Sequence, residues 1–192
     1  MMSLPSLTLP AIASPANLLT FGRIVGSPVL FWLVLEAEPD RGTSWAAFAL
    51  GLVFALSDFF DGKLARASGT VSRSGAFLDP LADKIVVLGV AVCLVSVERI
   101  HWLPVAIIAV REVWISLFRV NWARQGLSVP ARRAAKWKTV VQGLALEIAV
   151  LPPLEHEEWV IDGLIWVAVA FTVVTGWQYL RDGSAATSVS GA

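Results

Sequence analysis

Ser57-Asp58-Phe59-Phe60-Asp61-Gly62-Lys63-Leu64-Ala65-Arg66, continued by Gly75-Ala76-Phe77-Leu78-Asp79-Pro80-Leu81-Ala82-Asp83, sets four carboxylates into two otherwise apolar segments. Asp58 and Asp61 are three residues apart, Asp79 and Asp83 four apart. On helices both spacings put the pair on one face. The run from Trp45 to Leu56 before them is almost wholly apolar, and so is the run from Ile85 to Val97 after them. A carboxylate is costly inside a membrane unless it faces a protein interior or water. Four acids at one place exceed what a structural ion pair needs, and oxygen donors suit hard cations.

Working outward, the 192-residue chain is 56% hydrophobic and only 16% charged, which is not the balance of a soluble domain of this size. Its mean hydropathy is +0.69. The sequence therefore predicts an all-α integral membrane protein of one compact domain. A span needs about 20 mostly apolar residues. Six candidates follow: Leu18–Leu35, Trp45–Ala67, Gly75–Val97, Trp102–Trp122, Trp137–Leu151 and Trp159–Leu180. Residues 1–16, broken by Pro5, Pro10 and Pro15, are expected to lie as an N-terminal interfacial segment. Residues 17–181 are expected to form the six-helix transmembrane domain that carries the acids, and 182–192, rich in Gly, Ser and Ala, are expected as a disordered tail. No basic region opens the chain, so no cleaved signal peptide is expected. The single cysteine, Cys93, excludes an internal disulfide and reads as a small packing residue. No basic soluble surface points to nucleic acid.

Charge sets the orientation. Of the 15 Lys and Arg residues, only Arg41 and Arg99 fall in the loops after the first and third spans, and the loop after the fifth has none. By the positive-inside rule both termini and both carboxylate pairs face the cytoplasm. The two pairs then lie at the same end of antiparallel helices joined by a short turn, around a polar metal site at the cytoplasmic membrane surface. Trp45, Trp102, Trp137 and Trp159 stand at predicted span ends, where amphipathic rings prefer to be.

Oxygen ligands without His or Cys favour Mg²⁺, Mn²⁺ or Ca²⁺ over Zn²⁺. His101 and His156 fall in the outer loops, away from the acids. Two such ions about 3.5–4 Å apart form a clamp used in phosphoryl transfer. Gly62 and Ala65 would leave the face bare beside the acids, which serves either a flat ligand or close helix packing. A second set is cationic: Arg111 and Arg119, then Lys136 and Lys138, with Gln142 one turn on. Such a set suits an anionic substrate such as a phosphate, although Lys136 and Lys138 also fit plain interfacial anchoring. Glu112, beside Arg111, points elsewhere on a helix and reads as an imperfect partner for it. Glu147 is a further charge inside the fifth span, for which an interhelical hydrogen bond is the simplest reading.

Asp58, Asp61, Gly62, Ala65, Arg66, Gly75, Asp79 and Asp83 fit Asp-x2-Asp-Gly-x2-Ala-Arg-x8-Gly-x3-Asp-x3-Asp without departure, eight fixed positions over 26 residues. This resembles the motif of the CDP-alcohol phosphatidyltransferases. Asn17 to Arg23 is similar to that family's opening segment. Arg111 to Arg119, with Lys136 to Gln142, more loosely resembles its phosphatidylglycerophosphate synthase branch. The resemblance implies six transmembrane helices, a homodimer, and transfer of a phosphatidyl group from CDP-diacylglycerol to an alcohol with release of CMP. It implies two Mg²⁺ or Mn²⁺ ions held by Asp58, Asp61, Asp79 and Asp83, with Asp83 as general base. Asn17, Gly62, Ala65, Arg66 and Gly75 would line the donor site. Arg111, Arg119, Lys136 and Lys138 would hold the phosphate of the acceptor, glycerol 3-phosphate in that branch. Phosphatidylglycerol (as in a cardiolipin synthase) and inositol phosphate are the alternative acceptors. A membrane metal-ion carrier is the alternative of another class, disfavoured because all four acids lie at one membrane side.

Overall fold

A computed structural model describes the backbone over 15–37, 39, 41–68, 73–124 and 133–190, and side chains over 20–37, 39, 41–57, 81–122 and 137–181. Among the described residues the chain is all-helical: α1 Pro15–Glu36, α2 Trp45–Ser68, α3 Arg73–Ser96, α4 Trp102–Arg124, α5 Arg133–Ala149 and α6 Glu158–Ser190. A 3-10 turn, Pro152–Leu154, separates the last two. α1 packs on both α2 and α3, while α6 packs on both α4 and α5. α3 touches α4 and α5 and so joins the two groups.

Each helix has a local cause. Pro15 opens α1 at the first helical position, where its missing N–H is not needed. Ser44 caps α2: its Oγ accepts from the N–H of Ala46 (3.2 Å) and Ala47 (3.4 Å). Pro152 and Pro153 stop α5. Three boundaries differ from the sequence expectation. Residues 15–16, expected in the interfacial segment, already belong to α1. α5 starts before Trp137, at Arg133. α6 continues to Ser190 where a disordered tail is expected from 182. No proline follows Pro153 in the sequence, and extending a formed helix needs only propagation, not a new nucleus.

The core sits toward one end of the bundle. Leu30 and Val34 of α1, Leu94 of α3, Ala149 of α5, and Ile161 and Ile165 of α6 are all buried there. Close approach of the backbones is built in: the ring of Phe31 lies over Gly89, and a Cβ at Gly26 would come within 2.8 Å of Phe54. Loops close the same end. Arg99 is buried and donates to three carbonyls, from Nε to Ala149 O (3.0 Å), from Nη2 to Leu154 O (2.5 Å) and from Nη1 to Glu155 O. Arg41 pairs with Glu158 and donates to Glu98 O at 3.0 Å.

The outward faces are apolar. Val53, Val110, Leu117 and Trp177 are exposed, and Trp45, Trp102, Trp137 and Trp159 are exposed at helix ends, as an aromatic belt requires. Apolar exposure on this scale suits hydrocarbon rather than water. By length and composition one described helical segment, Glu158–Arg181, is long and apolar enough to cross a membrane, and Trp45–Ser57 is a shorter apolar one.

Candidate active site

The motif acids and the cationic residues of α4 and α5 gather at the opposite end of the bundle from the core. α2 carries Asp58 and Asp61 toward its C-terminus, and α3 carries Asp79 and Asp83 near its N-terminus. The backbone therefore brings both pairs to helix ends separated by residues 69–72. Residues 69–72, and the side chains of Asn17, Asp58, Asp61, Gly62, Ala65, Arg66, Gly75, Asp79 and Lys136, lie outside the described residues. Asp83 is described. Its Oδ1 accepts from Arg23 Nη1 at 2.6 Å, an α1–α3 ion pair in which the arginine is 4% exposed and the acid 32%. Arg23, the end of the segment similar to the family's opening, is thus bonded to the last motif acid. The pair orients the Asp83 carboxylate and satisfies a charge that could not otherwise stay inside the bundle.

Arg23 and Asp83 line a cavity of about 370 Å³. It runs between α2 and α5 past Gly51, Val87, Thr139 and Leu144 to Glu147 and Val150. Leu52, Ala55, Val140 and Leu144 on its flank are exposed, so it opens sideways to the apolar surroundings. The cavity has a charged mouth and an apolar length.

Lys84 follows Asp83 and leads to the second set. It donates to Ser116 Oγ and stands 4.0 Å from Glu112 Oε2. Glu112, 8% exposed, also receives Lys138 and, at 3.1 Å, Arg111 Nη1. Three cations from α3, α4 and α5 therefore meet one carboxylate of α4. Arg111 extends to α6, from Nε to Thr172 O (3.1 Å) and from Nη2 to Thr175 Oγ1 (3.1 Å). Gly176 admits its stem: a Cβ there would meet Arg111 Nε at 3.1 Å and Cγ at 3.3 Å. Gln142 Nε2 donates to Thr172 Oγ1 at 2.9 Å. Arg119, also on α4, is exposed.

The reading of Glu112 as an imperfect partner is thus corrected. A long carboxylate reaches around the helix when burial leaves its neighbours no water. Lys84, Ser116, Thr172 and Thr175 are not singled out from the sequence either. Thr172, Thr175 and Gly176 do form a polar and small stripe in apolar α6 at helical spacing, a legible sign of a polar neighbour.

Residues 13–174 match the CDP-alcohol phosphatidyltransferase family. The chain belongs to that family. It is 35% identical over 176 residues to a probable phosphatidylglycerophosphate synthase of Mycobacterium tuberculosis (strain ATCC 25618 / H37Rv), covering 88% of this chain and 81% of that one. It is 32% identical over 209 residues to a CDP-diacylglycerol–glycerol-3-phosphate 3-phosphatidyltransferase of Cereibacter sphaeroides (86% and 93% covered). A protein of the same description from Pseudomonas fluorescens is 35% identical over 172 residues (86% and 87%). As a CDP-alcohol phosphatidyltransferase the chain is an enzyme of phospholipid biosynthesis, and the motif acids fall inside the matched region.

The motif offers carboxylate oxygens alone, a donor set that suits a divalent hard cation. Asp83 is placed on the cavity wall where such an ion and a polar head group could both be reached. Among the described residues no three His, Cys, Asp or Glu side chains converge, since three of the four motif acids lie outside that set.

Proposed function

We propose that the protein transfers the phosphatidyl group of CDP-diacylglycerol to glycerol 3-phosphate, giving phosphatidylglycerophosphate and CMP. The observation that carries this is the adjacency of Asp83 and Lys84 on α3. Asp83 faces the lipid-accessible cavity, and Lys84 joins the cation cluster of Arg111 and Lys138. One helix end thus serves a lipid donor on one side and an anionic acceptor on the other. The names of the relatives point to the same pair of substrates.

In this reading the donor's hydrocarbon lies along the apolar cavity and its head group stays at the mouth, near Asn17, Gly62, Ala65, Arg66 and Gly75. Two Mg²⁺ or Mn²⁺ ions, held by Asp58, Asp61, Asp79 and Asp83, supply charge stabilisation for the diphosphate and for CMP as it leaves. Arg23 fixes the orientation of Asp83, which takes the proton from the attacking hydroxyl as general base. Arg111 and Lys138, with Arg119 and Lys136, bind the acceptor phosphate. Glu112 holds Arg111 and Lys138 in place and prevents the three cations from repelling each other before the phosphate arrives. Six helices cross the membrane with both termini and the site on the cytoplasmic side, and two copies associate as a homodimer.

The test is CMP release by purified protein with CDP-diacylglycerol, Mg²⁺ or Mn²⁺, and each acceptor in turn. Turnover is expected with glycerol 3-phosphate and is expected to stop with a chelator. Release with phosphatidylglycerol or inositol phosphate but not glycerol 3-phosphate would overturn the acceptor. In the same assay Asp83→Asn should lower kcat about 10²- to 10⁴-fold, the range of a general base. Near-normal turnover would remove Asp83 from that role.

A further inference from the structure

Glu147 is an acid the proposed chemistry does not use. It projects from α5 into the cavity and lies directly over Gly51 of α2, so that a Cβ at Gly51 would collide with its carboxylate. Its Oε1 is buried and has no hydrogen-bond partner among the described residues. Its position along the cavity is what matters. Thr139, on the same helix, stands at the charged mouth with Arg23 and Asp83. Eight residues of helix separate it from Glu147, about 12 Å at 1.5 Å per residue. One turn beyond the Glu147–Gly51 contact the cavity continues, lined by the buried Leu30, Ala47, Val90 and Val150. The contact therefore bridges α2 and α5 part-way along the cavity, where its exposed flank gives way to buried walls.

We propose that Glu147, seated on Gly51, is a polar step across the cavity and sets the length of hydrocarbon chain that the site accepts. The inference rests on the lipid donor proposed above. A chain enters between Leu52, Ala55, Val140 and Leu144, with its polar end at Asp83 and its methyl end toward Glu147. Passing the carboxylate would mean packing methylenes against a polar group that then loses its remaining solvation, which is unfavourable beyond the simple steric limit. Shorter chains end above it at no such cost. The residue is specificity-determining, and it is remote from the reacting atoms.

The experiment compares short- and long-chain CDP-diacylglycerol bound to purified protein, measured by native mass spectrometry without any acceptor. Glu147→Ala is expected to raise the long-to-short binding ratio roughly tenfold, the effect of burying about two further methylenes. Glu147→Gln, with the same shape and polarity, is expected to keep the wild-type ratio. Gly51→Ala is expected to push the carboxylate into the cavity and move the ratio toward short chains. Opposite signs from the two alanine variants cannot come from a general loss of structure, and Gly51→Ala decides the matter if Glu147→Ala fails to fold. Unchanged ratios in both, or shifts of one sign in both, would overturn the polar step. Absence of CMP from the wild type with every acceptor would instead overturn the reaction, because the binding comparison needs no turnover.

Discussion

Arg111 and Glu112 are consecutive in α4, where successive side chains point about 100° apart, yet Nη1 and Oε1 are 3.1 Å apart. The reason is their surroundings. Lys138 approaches from α5 and Lys84 from α3, and the only described acid within reach of all three cations is Glu112. In a buried site such a carboxylate does the work that water does outside. Glu112→Ala should therefore leave uncompensated buried charge and destabilise the fold by about 3–5 kcal/mol. Glu112→Gln, which keeps the shape and one acceptor, should cost less. Thermal unfolding in detergent checks this, and equal melting temperatures for wild type and Glu112→Ala would refute the cluster. Asp83 and Arg23 obey the same rule across α1 and α3.

Among the elements, α3 does most to position the site. Its first turns carry Asp79, Asp83 and Lys84, and its last turn reaches the far end of the bundle. There Leu94 O accepts from the N–H of Arg99 at 2.8 Å, and Glu98 takes a left-handed φ of 55° so that the chain can turn into α4. Arg99 then ties this turn to the end of α5 and the 3-10 turn by its three carbonyl bonds. These are charge-assisted bonds to carbonyls at the end of α5 and in the following turn. Arg99→Ala should lower stability by about 3 kcal/mol, since each bond to a charged group contributes roughly 1.5–3 and part is recovered from water. Its effect on donor binding should be small, because the site is at the other end. A loss of CMP release at temperatures where the variant stays folded would contradict that separation.

For the whole molecule, the two ends differ in kind. One holds the apolar core and acidic loops, the other the charged site, and the Lys and Arg distribution supports the proposed cytoplasmic side for the second. In a Cys93→Ala background, His101→Cys and His156→Cys should react with an impermeant maleimide on intact cells, and Ala186→Cys only after lysis. The reverse pattern would invert the topology. Much of this was legible in the chain itself. The motif Asp58 to Asp83 identified the family and predicted both helix ends, because its chemistry depends on residue types at local helical spacings. Hydropathy predicted the six helices, because burial in lipid demands long apolar runs. The sequence could not show that Arg23 bonds Asp83, that Glu112 gathers three cations, that Arg111 crosses α6 at Gly176, or that Glu147 meets Gly51 inside a cavity. Those contacts join residues on different helices or depend on burial, and only the packing of one helix on another decides which buried charges share a partner.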